Sequence, residues 1–292
     1  ICNVLYGAQA VFDPYMAADF CKAINDWIAA EWLSKDSRLR ASIVVPMQAP
    51  DLAIEEIERR ASDNRFVSVL VLAQGESLLG RRHFWPVWQV AEKYKLPIAV
   101  HAGSAYRQAP SSVGWPSYRY EYYMAEAQAF QAQVLSLIYE GVFGKFPGLK
   151  VVLTEAGCAW VPPLLERLDT NIRSIRDTGA TGEIRYGADH ILPKDATEYF
   201  HQNVWMGVSQ PRQADADARH IIGLDKFMWG SDYPHDEGTY PYTRENLRAR
   251  FSDAPEAEMR KILAGNAAEM YGFDLDALAP LAARIGPTVE EV

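Results

Sequence analysis

The sequence has few cysteines and no excess of positive charge, and these two shortages exclude several classes of protein. The three cysteines, Cys2, Cys21 and Cys158, are too widely spaced for a zinc finger or a disulfide framework. The net charge is −9, from 29 Lys and Arg against 38 Asp and Glu, which argues against a nucleic acid or an anionic membrane as partner. We therefore expect a small-molecule ligand and a reducing, cytoplasmic compartment.

Long apolar runs and phosphate-binding loops are also missing from the sequence. No apolar run reaches the roughly 18 residues of a membrane span, and no signal peptide is recognisable. No glycine-rich loop follows the first apolar run, residues 1–6, which argues against a dinucleotide-binding open sheet. No linker or shift in composition divides residues 1–292, so we expect one domain, with residues 273–292 as a peripheral tail.

What is present is an alternation of β-branched apolar runs with helical patterns, which predicts βα units and a parallel sheet. Helical spacing is clearest after the runs, for example over residues 14–34, 85–95 and 160–176. A closed barrel needs eight strands, and the chain begins inside an apolar run. We therefore predict an α/β (β/α)8 TIM barrel that lacks its first strand in this chain. The seven runs span residues 1–6, 41–46, 66–73, 97–101, 149–154, 203–207 and 226–230.

Polar side chains that can bind a metal stand at the ends of three apolar runs. His101 ends the fourth run, Glu155 follows the fifth, and Asp232 follows the seventh, with His235 three residues further on. Barrel enzymes place their active sites at the carboxyl ends of the strands, so we predict these four residues as metal ligands. A carboxylate after a buried strand is costly unless it is paired or binds a cation. The alternatives are a buried core histidine, a salt bridge at the barrel rim and a helix cap.

This set of ligands suits one or two divalent ions of Zn, Mn or Fe better than a thiolate-seeking metal. Such an ion lowers the pKa of a bound water and polarises a carbonyl group. An aromatic-rich segment follows the Gly-, Ser- and Pro-rich loop after His101. We predict that Trp115 and Tyr118 in this segment wall a substrate pocket, although packing over the barrel rim explains them equally well.

Four motifs carry a resemblance to a known family: LPIAVH ending at His101, FPGLKVVLTEAG around Glu155, GSDYPH around Asp232, and the closing ILAGNA. With them the sequence resembles, over essentially its whole length, the amidohydrolase-related family. This branch contains aminocarboxymuconate semialdehyde decarboxylase and related aromatic-acid decarboxylases, hydratases and lactonases. The resemblance implies a barrel, a metal held by His101 and Asp232, and a possible homodimer.

Two departures from the family pattern shape the functional hypotheses. The His-x-His pair of the family's first strand does not occur here, and Glu155 stands where many of the decarboxylases have histidine. A permanently anionic Glu155 would repel a carboxylate substrate. We therefore predict a metal-dependent hydrolase of a small carbonyl, ester, amide or lactone, with Asp232 and Glu155 catalytic. The alternatives are a non-oxidative decarboxylase of an aromatic or enoic acid, and a metal-free binding or regulatory barrel.

Overall fold

The computed structural model of the chain describes residues 6–103 and 108–292. Most of the first predicted strand, residues 1–5, lies outside the described residues, and Tyr6 begins the short 3-10 helix Tyr6–Ala10. The chain divides into two compact units. The first comprises Ile1–Leu153 with Leu164–Val204, and the second comprises Thr154–Pro163 with Trp205–Val292.

The first unit contains four strands that lie side by side in chain order. Strands β1 and β2, and β2 and β3, pair in parallel, and the last residue of β2, Leu72, is the register partner of His101. Every residue of β1, β2 and β3 is buried, which explains why their sequences are continuous apolar runs rather than alternating ones. The strands are β1 (Ala41–Val44), β2 (Phe66–Leu72), β3 (Ile98–His101) and β4 (Val151–Thr154), the last residue of which belongs to the second unit.

Helices separate these strands along the chain. Helix α1 continues as a π-helical turn, Ile28–Trp32, and buried Asn25 within α1 binds both backbone groups of Val44, which fixes the helix against β1. The helices are α1 (Pro14–Trp27), α2 (Pro50–Arg60), α3 (Trp85–Lys93), α4 (Arg119–Tyr139), α5 (Val142–Lys145) and α6 (Val161–Thr178).

The end of the first unit contains elements that the sequence patterns did not predict. A hairpin of β5 (Ala180–Thr181) and β6 (Ile184–Arg185) follows α6, and helix α7 (Ala196–Asn203) follows the hairpin. The hairpin strands have two residues each, too few for an alternating pattern to be visible. The sequence does contain a signal for helix α7, because Asp195 and Glu198 have the spacing of a capping box. In the structure the Glu198 carboxylate accepts from the Asp195 N–H.

The second unit is built on two parallel strands, β7 (Val204–Ser209, whose first residue belongs to the first unit) and β8 (Phe227–Gly230). The backbone N–H of Glu155, just after β4, donates to the Gly207 carbonyl of β7. Buried Asn266 donates to the carbonyls of Leu224 and Phe227, which anchors the start of β8. The helices are α8 (Gln213–Ile222), α9 (Thr243–Phe251), α10 (Glu256–Arg260), α11 (Asn266–Tyr271) and α12 (Leu275–Ile285).

The chain after α11 is peripheral to the second unit. Helix α11 ends at Gly272, whose left-handed backbone (φ 71°) is the expected helix stop. None of the residues of α12 is buried. No helix among residues 6–103 and 108–292 combines the length and the apolar character needed to cross a membrane.

Candidate active site

Asp232 stands at the start of a tight turn directly after β8. The turn is closed by hydrogen bonds from the His235 N–H to the Asp232 carbonyl (2.9 Å) and from the Thr239 N–H to the Ser231 carbonyl (3.1 Å). A Cβ atom at Gly238 would lie 2.8 Å from the His235 carbonyl oxygen, so only glycine fits there without a shift. The closed turn fixes the backbone from which the Asp232 carboxyl projects.

Three residues at strand ends share an unusual backbone conformation. Glu155 after β4, Gln210 after β7 and Asp232 after β8 have φ angles of 65°, 48° and 59°. Among the described residues, Lys95 is the one other non-glycine residue with a positive φ. The left-handed region costs an ordinary residue roughly 1–2 kcal/mol. Backbone strain of this kind concentrates at functional sites, where it positions a side chain that an unstrained turn would not.

The side chains of these residues meet in the second unit. The Gln210 amide Nε2 donates to Asp232 Oδ2 at 3.0 Å, and the Asp232 carboxyl group lies close enough to Glu155 to interact with it. Burial, followed by repulsion from Glu155, raises the pKa of Asp232 to about 6, while His235 and the Gln210 amide oppose the rise. Asp232 therefore holds a proton at a higher pH than an ordinary aspartate does.

A buried aspartate holds the loop that carries Glu155. Asp215, near the start of α8, accepts with Oδ1 from the N–H groups of Cys158 (2.7 Å) and Ala159 (2.9 Å). Its Oδ2 accepts from the Arg212 N–H at 2.9 Å. The Trp160 indole N–H donates back to the Ala156 carbonyl at 2.9 Å. These bonds fix the loop after β4 against the start of α8.

His101 belongs to the first unit, where it ends β3. Its side chain is buried, and Nδ1 lies 2.7 Å from the Ala102 carbonyl oxygen. A carbonyl oxygen only accepts, so Nδ1 carries a proton, which in a neutral imidazole leaves Nε2 as the metal-binding atom. This is the tautomer in which a neutral imidazole binds a metal through Nε2, with the other nitrogen held by a carbonyl.

The predicted substrate-binding residues also lie in the first unit. Trp115 stacks on Tyr122 with ring centroids 6.2 Å apart, and Tyr118 stacks on Tyr120 at 5.4 Å. Trp115 and Tyr118 are half exposed or more, whereas Tyr122 is buried. Their contact with a substrate stays a prediction.

The structure thus brings together three of the predicted site residues, Glu155, Asp232 and His235, of which His235 is the most exposed. Within residues 6–103 and 108–292, no three His, Cys, Asp or Glu side chains form a ready metal site. Sequence reasoning missed Gln210. The same rule of polar residues at strand ends would have found it, but the predicted strand ended at Gly207, two residues before β7 does.

Comparison with known proteins identifies the family. Residues 1–273 match the amidohydrolase family model, and the chain belongs to this family and is an enzyme of the amidohydrolase superfamily. The gamma-resorcylate decarboxylase of Polaromonas sp. (strain JS666 / ATCC BAA-500) is 24% identical over 90% of this chain and 79% of the relative. The enzyme of that name from Rhodococcus jostii (strain RHA1) is 26% identical over 91% and 80%.

Solved structures confirm the predicted fold class. The 2,6-dihydroxybenzoate decarboxylase from Rhizobium has a TM-score of 0.73 at 24% identity, over 94% of this chain and 82% of that one. The dihydroxybenzoic acid decarboxylase from Polaromonas sp. JS666, with bound manganese and 2-nitroresorcinol, has a TM-score of 0.72 at 24% identity, over 92% and 80%. The chain therefore has the α/β barrel fold of this superfamily.

These findings overturn the prediction of a hydrolase. The relatives that align over about nine tenths of the chain are named decarboxylases. The prediction considered Glu155 alone, whereas in the structure Glu155 lies beside Asp232 and raises the pKa of that second carboxyl group.

Proposed function

We propose that this protein is a divalent-metal-dependent, non-oxidative decarboxylase of an aromatic carboxylic acid. The observation that carries the proposal is the pair of neighbouring carboxyl groups of Asp232 and Glu155, in which the raised pKa of Asp232 favours holding the proton that the reaction consumes. The names of the relatives support the same reaction class. Loss of CO2 leaves an electron pair on the ring carbon, and a proton must take its place.

The chemistry of the donors fits a divalent cation. His101 donates from Nδ1 to a carbonyl, as metal-binding histidines do, and a cation beside Asp232 would relieve the repulsion between the two carboxyl groups that raises its pKa. We propose His101 and Asp232 as ligands, with Glu155 and His235 as further candidates. Manganese is bound in the Polaromonas neighbour, which agrees with the predicted divalent ion. When bound, the ion would hold and polarise the substrate carboxylate.

The residues of the second unit are suited to moving a proton. The Gln210 amide donates to Asp232 Oδ2 and so fixes that carboxyl group beside Glu155. In the proposed reaction the bond between the ring and the carboxylate breaks, CO2 leaves, and the pair gives its proton to the ring carbon. A proton from solvent then restores the pair. The net reaction consumes one proton and no oxidant, reductant or water.

The test is the fate of carbon and hydrogen during turnover of the metal-loaded protein. Hydroxylated benzoates are incubated in D2O, and released CO2 and the ring product are measured. We expect one CO2 for each product and one deuterium at the carbon that lost the carboxylate. Hydrolysis of esters or lactones without release of CO2 would contradict the proposal.

Variants test whether turnover needs the carboxyl pair. Asp232→Asn removes the titratable group with little change in size, and we expect turnover to fall by roughly 10²–10⁴-fold, the usual contribution of a positioned acid or base. Asp276→Asn, an exposed aspartate in the first turn of α12, is the matched control and should turn over normally. Near-normal turnover of Asp232→Asn would refute the assignment.

A further inference from the structure

A cavity of about 440 Å³ lies in the first unit, between the helices α4 and α6 and the hairpin of β5 and β6. None of the described residues that line it belongs to β1–β4, so the cavity is separate from the strand end that carries His101. Pockets that bind small organic molecules have volumes of roughly 300–1,000 Å³, and this cavity falls within that range. Its size therefore suits a small-molecule ligand.

The floor of the cavity is aliphatic. The residues of α6 that line it recur every three or four positions from Leu164 to Ile175, which is the spacing of one helix face. Leu168 and Ile172 of this face are buried, and Leu135 of α4 extends the floor. Branched aliphatic side chains offer no polar atom, so the part of a ligand that contacts this floor is a hydrocarbon.

Arg167 stands on the same face of α6 and gives the cavity a positive charge. Two other arginines of this helix, Arg173 and Arg176, both form ion pairs with Asp195. Arg167 is exposed and forms no ion pair or hydrogen bond with any residue that the structure describes. Its guanidinium group is therefore available to an anionic ligand group, to which it can donate two parallel hydrogen bonds.

Asn171 adds a second donor one turn further along α6. Its Oδ1 accepts from the Tyr139 hydroxyl at 2.8 Å, which fixes the orientation of the amide and leaves Nδ2 as the other polar atom. Nδ2 has no hydrogen-bond partner within the described residues, and Asn171 is only partly buried. Residues four apart on a helix are neighbours, with Cβ atoms roughly 5–6 Å apart. Arg167 and Asn171 can therefore donate to the two oxygens of one carboxylate.

The charge of the lining selects the sign of the ligand. The lining contains Arg167 and His190 but no Asp or Glu, although acidic residues outnumber basic ones in the whole sequence. His190 Nδ1 lies 3.1 Å from the carboxylate of Asp189, which is outside the lining. An ammonium group would meet Arg167 without a counter-charge, whereas a carboxylate would be attracted to it. The lining is therefore complementary to an anion that carries a hydrocarbon chain.

We propose that this cavity binds a medium-chain aliphatic carboxylate, with its head group on Arg167 and the Asn171 amide and its chain on the aliphatic floor. The site is independent of the proposed decarboxylase function, because neither the carboxyl pair nor any proposed metal ligand lines the cavity. Arg167 and Asn171 determine the charge of the ligand, and the floor determines its apolar character.

The test compares three ligands that share an eight-carbon chain and differ in the head group. The metal-loaded protein is titrated calorimetrically with octanoate, 1-octanol and octylammonium. We expect octanoate to bind roughly three- to tenfold more tightly than 1-octanol, the usual effect of a charge-assisted hydrogen bond at a partly exposed site. Octylammonium should bind more weakly than 1-octanol, because Arg167 repels it.

Three variants locate the binding in the cavity. Arg167→Gln should bring octanoate to the affinity of 1-octanol while leaving the affinity of 1-octanol unchanged. Asn171→Asp keeps the acceptor for Tyr139 but replaces the amide donor by an anionic oxygen beside Arg167, so the preference for octanoate should disappear. Thr181→Trp, on the exposed edge of the hairpin, places an indole in the cavity and should abolish binding of octanoate with an unchanged circular dichroism spectrum.

The matched control is Arg185→Gln, because Arg185 is an exposed arginine of the same hairpin that does not line the cavity. This variant should keep the preference of the wild-type protein for octanoate. An equal loss of preference in Arg185→Gln would indicate a general attraction of anions and would overturn the inference. A loss of affinity in Arg167→Gln that is the same for octanoate and 1-octanol would overturn it as well, since that is the effect of a merely structural role.

Three further outcomes would contradict the proposal. The first is the absence of saturable octanoate binding by the wild-type protein. The second is octanoate binding that Thr181→Trp retains, because the ligand would then occupy another site, such as the metal. The third is a wild-type dimer that Thr181→Trp converts to a monomer, because a second copy of the chain would then cover the cavity. Release of CO2 tests the proposed function separately, and none of these outcomes depends on it.

Discussion

Among the residues of the second unit outside the carboxyl pair, Asp215 is the one whose loss should disturb the pair most. Its buried carboxylate accepts three backbone N–H groups, from Cys158, Ala159 and Arg212. Asp215→Ala removes all three bonds and leaves the buried Cys158 N–H without its partner. Hydrogen bonds to a charged group contribute about 1.5–3 kcal/mol each, and solvent can replace the partner of the Arg212 N–H because Arg212 is exposed. We therefore expect a loss of roughly 3–5 kcal/mol in the free energy of unfolding.

The assay is thermal and urea unfolding of the metal-free protein, followed by circular dichroism. A loss of this size lowers Tm by roughly 6–15 °C at about 2–3 °C per kcal/mol. Asp215→Asn keeps one oxygen for the Cys158 and Ala159 N–H groups, so we expect it to lose less than half as much. Asp217→Ala, on the same helix, is the matched control, since Asp217 is exposed and accepts one side-chain bond from Gln213.

The loop after β4 should also lose its fixed position in Asp215→Ala, so that Glu155 no longer meets Asp232 reliably. Turnover should therefore fall even at temperatures where the variant is fully folded. A change in Tm no larger than that of Asp217→Ala would refute the reasoning, because it would mean that the three bonds contribute nothing net.

Three further predictions concern the turn and the carboxyl pair. In metal-free protein, the raised pKa of Asp232 means that the folded chain binds its proton more tightly than the unfolded chain, so this stabilisation is complete below about pH 4 and is lost as pH rises through about 6. The rise of this pKa from 3.8 to about 6 corresponds to at most ~3 kcal/mol of stability, and partial exposure of Asp232 reduces the effect to ~1–2 kcal/mol. The measurement is urea unfolding as a function of pH, compared between the wild-type protein and Asp232→Asn. Gly238→Ala should lower Tm by several degrees, at a cost of roughly 1–3 kcal/mol, because the added Cβ would collide with backbone oxygens. Gly144→Ala is the control and should leave Tm unchanged, because the atom nearest to its added Cβ is 3.9 Å away. Glu155→Gly should abolish turnover yet raise the Tm of metal-free protein. The substitution relieves roughly 1 kcal/mol of left-handed backbone strain and also removes the charge that repels Asp232. An unchanged or lower Tm would contradict this prediction.

The sequence predicted the strand ends well, because a buried parallel strand is a continuous apolar run and its end is marked by the first polar residue. His101, Glu155 and Asp232 were all found in this way, and each does end or directly follow a strand. Gln210 was missed because Gly207 interrupts the apolar character of β7 before the strand is complete. An error of two residues in one boundary was therefore enough to hide a site residue.

Contacts between distant parts of the chain could not be predicted from local patterns. Asp215 lies in the first turn of α8, but its partners Cys158 and Ala159 are 57 and 56 residues away. The interaction of Glu155 with Asp232 is a contact of the same kind, because the two residues follow different strands. The hypothesis of hydrolysis failed at this point, because it considered Glu155 as an isolated anion, whereas Glu155 lies beside a second carboxyl group and raises its pKa.

The strain and the repulsion at this site have a common consequence for how the second unit is built. Three left-handed residues and two neighbouring carboxyl groups together destabilise the strand ends by several kcal/mol. The compensating bonds lie nearby but outside the carboxyl pair: Asp215 holds the loop after β4, and Asn266 anchors the start of β8 through two carbonyls. Because these anchors do not touch Asp232 or Glu155, they can hold the strained backbone without changing the proton affinity of the pair. The family motif around Asn266 then has a physical reason, since β8 must be fixed at its start if the strained turn at its end is to keep Asp232 in place.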